Sequence, residues 1–184
     1  MSHAPSDIFF EATLQQAYAA ARAQAGPGAC VVLLHMGAGQ CGMAVGTGAQ
    51  AEVLKSMPLG LERTAREYFK TTPPTPLAME NAIQVVEDVV MPLRALIPQG
   101  AQLFSADTAV QEIALLSGVR PDLPQTLWLE AMERTFNRLS AVVEGSPAGH
   151  QGLPVSNRFA VALLILREFM HHLQFAQVVV VRDR

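Results

Sequence analysis

Hydrophobic positions change their period along this chain, and the changes mark its elements. Ile8, Ala12, Leu14, Ala17, Tyr18 and Ala21 recur at helical spacing, so residues 8–24 predict a helix that Gly26-Pro27-Gly28 ends. The apolar runs then shorten. Residues 30–36, 41–45 and 52–57 predict three strands, with turns at Gly37-Ala38-Gly39 and Gly46-Thr47-Gly48. Residues 61–69 predict a short helix. After a Thr- and Pro-rich loop, Thr75 is placed to cap the next helix, with Pro76 in its first position. That helix carries Met79, Ala82, Ile83, Val86, Val89, Val90, Leu93 and Leu96 on one stripe. Glu80, Gln84, Glu87 and Asp88 fall on a solvated stripe opposite, with no chemistry assigned to them, and Pro92 should kink the end.

Residues 101–105 predict a fourth strand, and Asp107 is placed to cap a helix that stops at Gly118. Residues 126–143 read as an amphipathic helix with Trp128, Met132, Phe136, Leu139 and Val143 inward; residues 145–154 read as a loop. Ser156 caps a helix running to Leu173, and its apolar residues nearly encircle it, which predicts the most buried helix. Residues 177–181 close the chain as an apolar strand suited to a parallel position covered on both faces. This order is the plan of a ribonuclease-H-like α/β domain of the actin/Hsp70 superfamily. It implies a five-stranded mixed sheet with flanking helices: an antiparallel meander, then two strands parallel to the first. Residues 29–184 form the domain and residues 1–28 the N-terminal helix.

Composition narrows the function classes. A chain of 184 residues buries enough surface to fold without metal or disulfide. No apolar run reaches the roughly 18 residues needed to span a bilayer, and Met1-Ser2-His3-Ala4-Pro5-Ser6-Asp7 has no signal-peptide character, so we expect a cytoplasmic protein with no membrane partner. The net charge is -3 and basic residues do not cluster, which argues against nucleic acid and against tracking along a polyphosphate. Cys30 and Cys41 are read as reduced.

The candidate chemistry is sparse. Strand alternation puts Cys30 and His35 on opposite faces, so with Cys41 they make no metal cluster. His171 and His172 point about 100° apart on a helix and cannot share an ion; both suit its last turn. Arg63 and Arg66 follow Gly60 at a helix start and could grip an anion, but read first as an exposed helix face paired with Glu62 and Glu67. We assign no metal ligand, no cofactor and no catalytic residue.

One stretch is more specific. Val31-Val32-Leu33-Leu34-His35-Met36-Gly37-Ala38-Gly39-Gln40-Cys41-Gly42 is followed by Met57-Pro58-Leu59-Gly60-Leu61-Glu62-Arg63-Thr64, then by Phe104-Ser105-Ala106-Asp107-Thr108. These segments resemble, in order, three motifs of the exopolyphosphatase/guanosine-pentaphosphate phosphatase (Ppx/GppA) family. They are the second phosphate loop Asp-Ile-Gly-Gly-Gly-Ser-Thr-Glu, the Leu-Pro-Leu-Gly-x-x-Arg-Leu segment, and a strand leading to Gly-Gly-Thr and a helix. Residues 153–181 resemble the family's last helix and strand. The resemblance covers the second half of the family's core. It implies a phosphate-binding role for Gly37, Ala38, Gly39, Gln40, Asp107 and Thr108. It also exposes departures: the loop Asp is His35, the Ser is Gln40, the Glu is Gly42, and Gly-Gly has become Ala106-Asp107. Gly37 and Gly39 leave a partial anion nest, while Asp107 would repel a phosphate. The implied function is that of a degenerate, non-catalytic domain that binds a phosphate or nucleotide ligand or a protein partner. The alternative is an active phosphatase or polyphosphate/nucleotide hydrolase completed by a partner chain. The apolar composition and the missing sister domain suggest a homodimer, with Phe9, Phe10, Leu14 and Tyr18 of the N-terminal helix as contacts. Otherwise that helix folds back on its own chain.

Overall fold

In a computed structural model describing residues 5–122 and 124–181, one mixed sheet carries helices on both faces. Helix α1 (Pro5–Arg22) precedes a meander of β1 (Val31–Met36), β2 (Cys41–Gly46) and β3 (Val53–Met57). Helices α2 (Leu61–Tyr68) and α3 (Pro76–Val90) follow, and α3 passes into a 3₁₀ segment (Met91–Leu96) at Pro92, where the ring removes a helical donor. Then come β4 (Gln102–Ser105), α4 (Thr108–Leu116), β5 (Gln125–Trp128), α5 (Leu129–Val143), α6 (Ala148–Gln151), α7 (Asn157–His172) and β6 (Gln177–Val180). The sheet order is β3-β2-β1-β4-β6-β5. The β1–β2 and β2–β3 pairs are antiparallel, and β4 and β6 run parallel to β1 as expected.

The sheet has six strands, not five. The additional one, β5, pairs antiparallel with β6 and overlaps the start of the stretch read as a helix over 126–143. Trp128, expected inward, is exposed, because it ends an edge strand rather than facing a helical core. The stretch read as a loop before α7 likewise contains the short α6.

Alternation along β1 divides the core. Val32, Leu34 and Met36 face the layer of α2, α3, α4, α5 and α7, while Val31 and Leu33 face α1. Helix α7 is buried almost all round, from Phe159 to Met170. Its Ser156 accepts a hydrogen bond from Phe159 N–H, and Thr75 caps α3 in the same way through Ala78 N–H.

On the other face, α1 lies against its own sheet. Leu14, Ala17, Tyr18 and Ala21 are buried there, and the Tyr18 hydroxyl donates to the Gly48 carbonyl at 3.0 Å. Burying a side chain the size of Leu14 stabilises by about 1.5–3 kcal/mol, and an alanine contributes less. Two of the four residues expected at a contact between copies, Leu14 and Tyr18, are therefore occupied within the chain, whereas Phe9 remains exposed. The Ile8 side chain lies outside the described part. The seat for α1 is made by small residues of β2. A Cβ at Gly42 would lie 2.9 Å from Phe10 and 3.0 Å from Leu14, and one at Gly46 would lie 2.7 Å from the Tyr18 hydroxyl.

Candidate functional site

The ends of β1 and β4 form a rim, and the candidate residues gather there. The β1–β2 turn, Gly37 to Gln40, is held from within and from behind. Gly37 N–H donates to the Gln40 carbonyl at 3.0 Å, and the Gln40 side chain accepts from Ser56 Oγ on β3 at 3.2 Å. Behind the turn stands the start of α2. Leu61 N–H donates to the Gly37 carbonyl at 3.0 Å, and Glu62 and Arg63 N–H donate to the Ala38 carbonyl at 3.0 and 3.1 Å. These are the amides that a helix start leaves without an intrahelical partner. Here the turn's carbonyls satisfy them, so they do not point at a ligand. Gly60, which has no side chain to cap α2, is required by this approach: a Cβ there would lie 2.3 Å from Gly39 C.

The expected anion nest is correspondingly reduced, since the Gly37 amide is spent inside the turn. Neither Gly37 nor Gly39 has the positive φ that alternates in such nests.

Asp107 precedes α4 in the capping position, but its carboxylate does not cap the helix. It turns across to β1, accepting from Met36 N–H at 2.8 Å and from Ser105 Oγ at 3.0 Å, and pairs with His35 Nδ1 at 2.7 Å. Capping was the wrong assignment because Met36 N–H, Ser105 Oγ and His35 Nδ1 already engage both carboxylate oxygens. Thr108, one residue on, is exposed at the head of α4. The two turns thus do not form a symmetric clamp: the first lines a groove, and the second braces it from behind through His35.

The groove, about 540 Å³, is lined by Phe9, Phe10, Thr13, His35 and residues 37–40. The rings of Phe10 and His35 lie 5.8 Å apart. No lysine or arginine is among the lining residues. Arg63 instead lies beside Glu67 at 3.9 Å, and Glu62 pairs with Arg158 at 3.1 Å. Beneath the turn, the Cys41 thiol is buried, which pushes its pKa well up, and the Asp107 charge adds to the rise. Cys30 and His35 lie on opposite faces, as strand alternation required: Cys30 packs against the α2–α7 layer and His35 against Phe10. The part played by α1 was not legible in the rim motifs; the only signal was the aromatic pair Phe9-Phe10 in a helix otherwise rich in alanine.

A second polar group, absent from the sequence reading, occupies the seam between α3 and α7. Glu87, Glu168 and His172 converge there. His172, assigned to the helix dipole alone, lies between two carboxylates, and Glu87 is not on a purely solvated stripe.

No family model matches the sequence, and no curated protein does. Solved structures do match in fold. A Ppx/GppA phosphatase from Aquifex aeolicus superposes with a TM-score of 0.72 at 16% identity, over 94% of this chain and 59% of that one. An exopolyphosphatase from Cytophaga hutchinsonii gives 0.70 at 15% identity, over 94% and 59%. An exopolyphosphatase-like protein gives 0.67 at 14% identity, over 95% and 61%. The chain has the ribonuclease-H-like fold of these proteins and spans about three fifths of their length. Among the described residues no helix is long and apolar enough to cross a membrane.

Proposed function

We propose that this chain is a non-catalytic relative of phosphoanhydride hydrolases that works by binding, with the rim groove as its ligand site. The observation that carries this reading is the placement of Phe10 and Leu14 above Gly42. In the family motif that position is a Glu. Here even a Cβ would strike Phe10 at 2.9 Å, so the space a carboxylate would need is filled by apolar atoms of α1. In-line attack on a phosphate needs a carboxylate to orient water, or carboxylates to hold a divalent ion. Asp107 does not substitute, because Met36 N–H, Ser105 Oγ and His35 Nδ1 already occupy its oxygens.

The groove's aromatic wall and lack of lysine or arginine suit a nucleotide better than bare polyphosphate. A base can lie against Phe9 and Phe10, with its phosphate near the Ala38–Gln40 tip. A hydrolase completed by a partner chain is the second reading. It draws on the Asp107–His35 pair, which holds the imidazole through Nδ1 as a general base is held.

Two measurements separate them. The purified chain with Mg²⁺ should release no phosphate from polyphosphate or guanosine pentaphosphate above background. ATP or GTP at a hundred times its dissociation constant should stabilise the fold by about 2.7 kcal/mol in thermal shift. Turnover that disappears in His35→Ala would overturn the non-catalytic reading. No shift with any nucleotide would leave a protein as the partner.

A further inference from the structure

Three donor atoms meet where α7 packs on α3, near the end of the sheet where β6 begins and away from the rim. Glu168 and His172 are four residues apart on α7 and so share one helix face, while Glu87 comes from α3. His172 Nε2 lies 3.2 Å from Glu87 Oε1 and 3.1 Å from Glu168 Oε2, and the three donors all lie within 4.8 Å of one another. A single ring N–H cannot point at both oxygens.

The surrounding charge is unbalanced as well. Glu168 is fully buried, and its other oxygen takes Arg167 Nη1 at 2.5 Å. That same guanidinium binds Glu133 Oε2 at 3.2 Å and stacks over Phe136. Glu133 and Glu168 therefore share one permanent cation, Glu87 pairs with His172 alone at this seam, and His171 lies near Glu133 at 3.8 Å. A buried carboxylate is tolerated only when its charge is compensated.

We propose that Glu87, Glu168 and His172 bind a first-row divalent cation such as zinc. Bonds of about 2.0–2.2 Å to a tetrahedral ion place neighbouring ligand atoms roughly 3.3–3.5 Å apart. Both His172 separations, 3.2 and 3.1 Å, already lie near that spacing. The third edge, between the two carboxylate oxygens, is within 4.8 Å, and rotation of the part-exposed Glu87 carboxylate would shorten it. One imidazole nitrogen with two carboxylate oxygens selects zinc or its neighbours over calcium and magnesium, which take oxygen ligands. His172 and Glu87 remain 23% and 29% exposed, so the ion has a path in and water can complete its shell. An ion there ties α3 to α7. The site does not depend on what the rim binds.

The test uses the full chain, dialysed against EDTA and then titrated with Co²⁺ and Zn²⁺. The expected result is one ion per chain, a visible Co²⁺ spectrum that Zn²⁺ abolishes, and a higher Tm with Zn²⁺. Glu87→Gln and His172→Ala should each weaken binding by about tenfold or more. Both change partly exposed side chains, and circular dichroism without metal checks that they fold. His150→Ala should bind as the parent does. Absence of stoichiometric binding, or binding that survives both seam variants, overturns the proposal.

Discussion

The rim and the α3–α7 seam each combine histidine with carboxylates, yet they are built to opposite ratios. At the rim one carboxylate, Asp107, receives a backbone amide, a hydroxyl and an imidazole. At the seam three carboxylates share one guanidinium and the two adjacent imidazoles. Histidine and carboxylate thus make a brace in one place and a receptor for positive charge in the other. What separates them is the count of donors against acceptors, and whether those donors belong to the backbone.

The severest way to break this contrast is at Gly60. A methyl there must displace backbone of the turn at 2.3 Å, with no flexible side chain to yield, so Gly60→Ala should cost about 3 kcal/mol in urea unfolding. A cost near zero would mean that the turn is not clamped. Next comes the direct comparison. Asp107→Ala leaves Met36 N–H and Ser105 Oγ without their acceptor and should cost about 2 kcal/mol. Glu87→Gln, measured in EDTA, removes a surplus charge and should change stability by less than about 0.5 kcal/mol. If the seam variant costs more than the rim variant, the assignment of brace and receptor is reversed.

The finest probe is pH. Burial raises the Cys41 thiol above its ordinary value of 9.0, so the folded chain keeps a proton that the unfolded chain releases. The stability from this group is complete below about pH 9 and is lost as pH rises beyond it, at about 1.4 kcal/mol per unit. Unfolding at pH 8.5, 9.5 and 10.5 should show a slope that steepens toward that value, and Cys41→Ala should reduce it. An unchanged slope would place the titration elsewhere.

The meander, the two capped helices and the order of the parallel strands were legible because each rests on local signals: glycine turns, Thr75-Pro76, Ser156, and runs of one period. Strand β5 was not. Its Thr126, Leu127 and Trp128 continue smoothly into the helical period of α5, and only pairing with β6, some fifty residues later, makes them extended. Asp107 was misassigned for a similar reason, since its partners His35 and Met36 lie 72 and 71 residues away. Glu168 was hidden inside an apolar helix, where one polar residue barely alters the pattern. The sequence signal for it is the i, i+4 pair Glu168/His172, which lies on one helix face. Gly37 was legible as a retained position of a phosphate loop and Gly42 as a departure from it, but Gly42 is explained only by the two α1 side chains above it.

The bonds from Leu61, Glu62 and Arg63 to the turn carbonyls also bear on motion. The first turn of a helix normally frays, and its amides exchange with deuterium almost as fast as in a free peptide. In α2 those amides are latched to the tip of a hairpin, so they exchange only when the β1–β2 turn itself lifts away. Turn and helix start open as one unit, and a molecule that settles on the turn slows exchange in a helix it never touches.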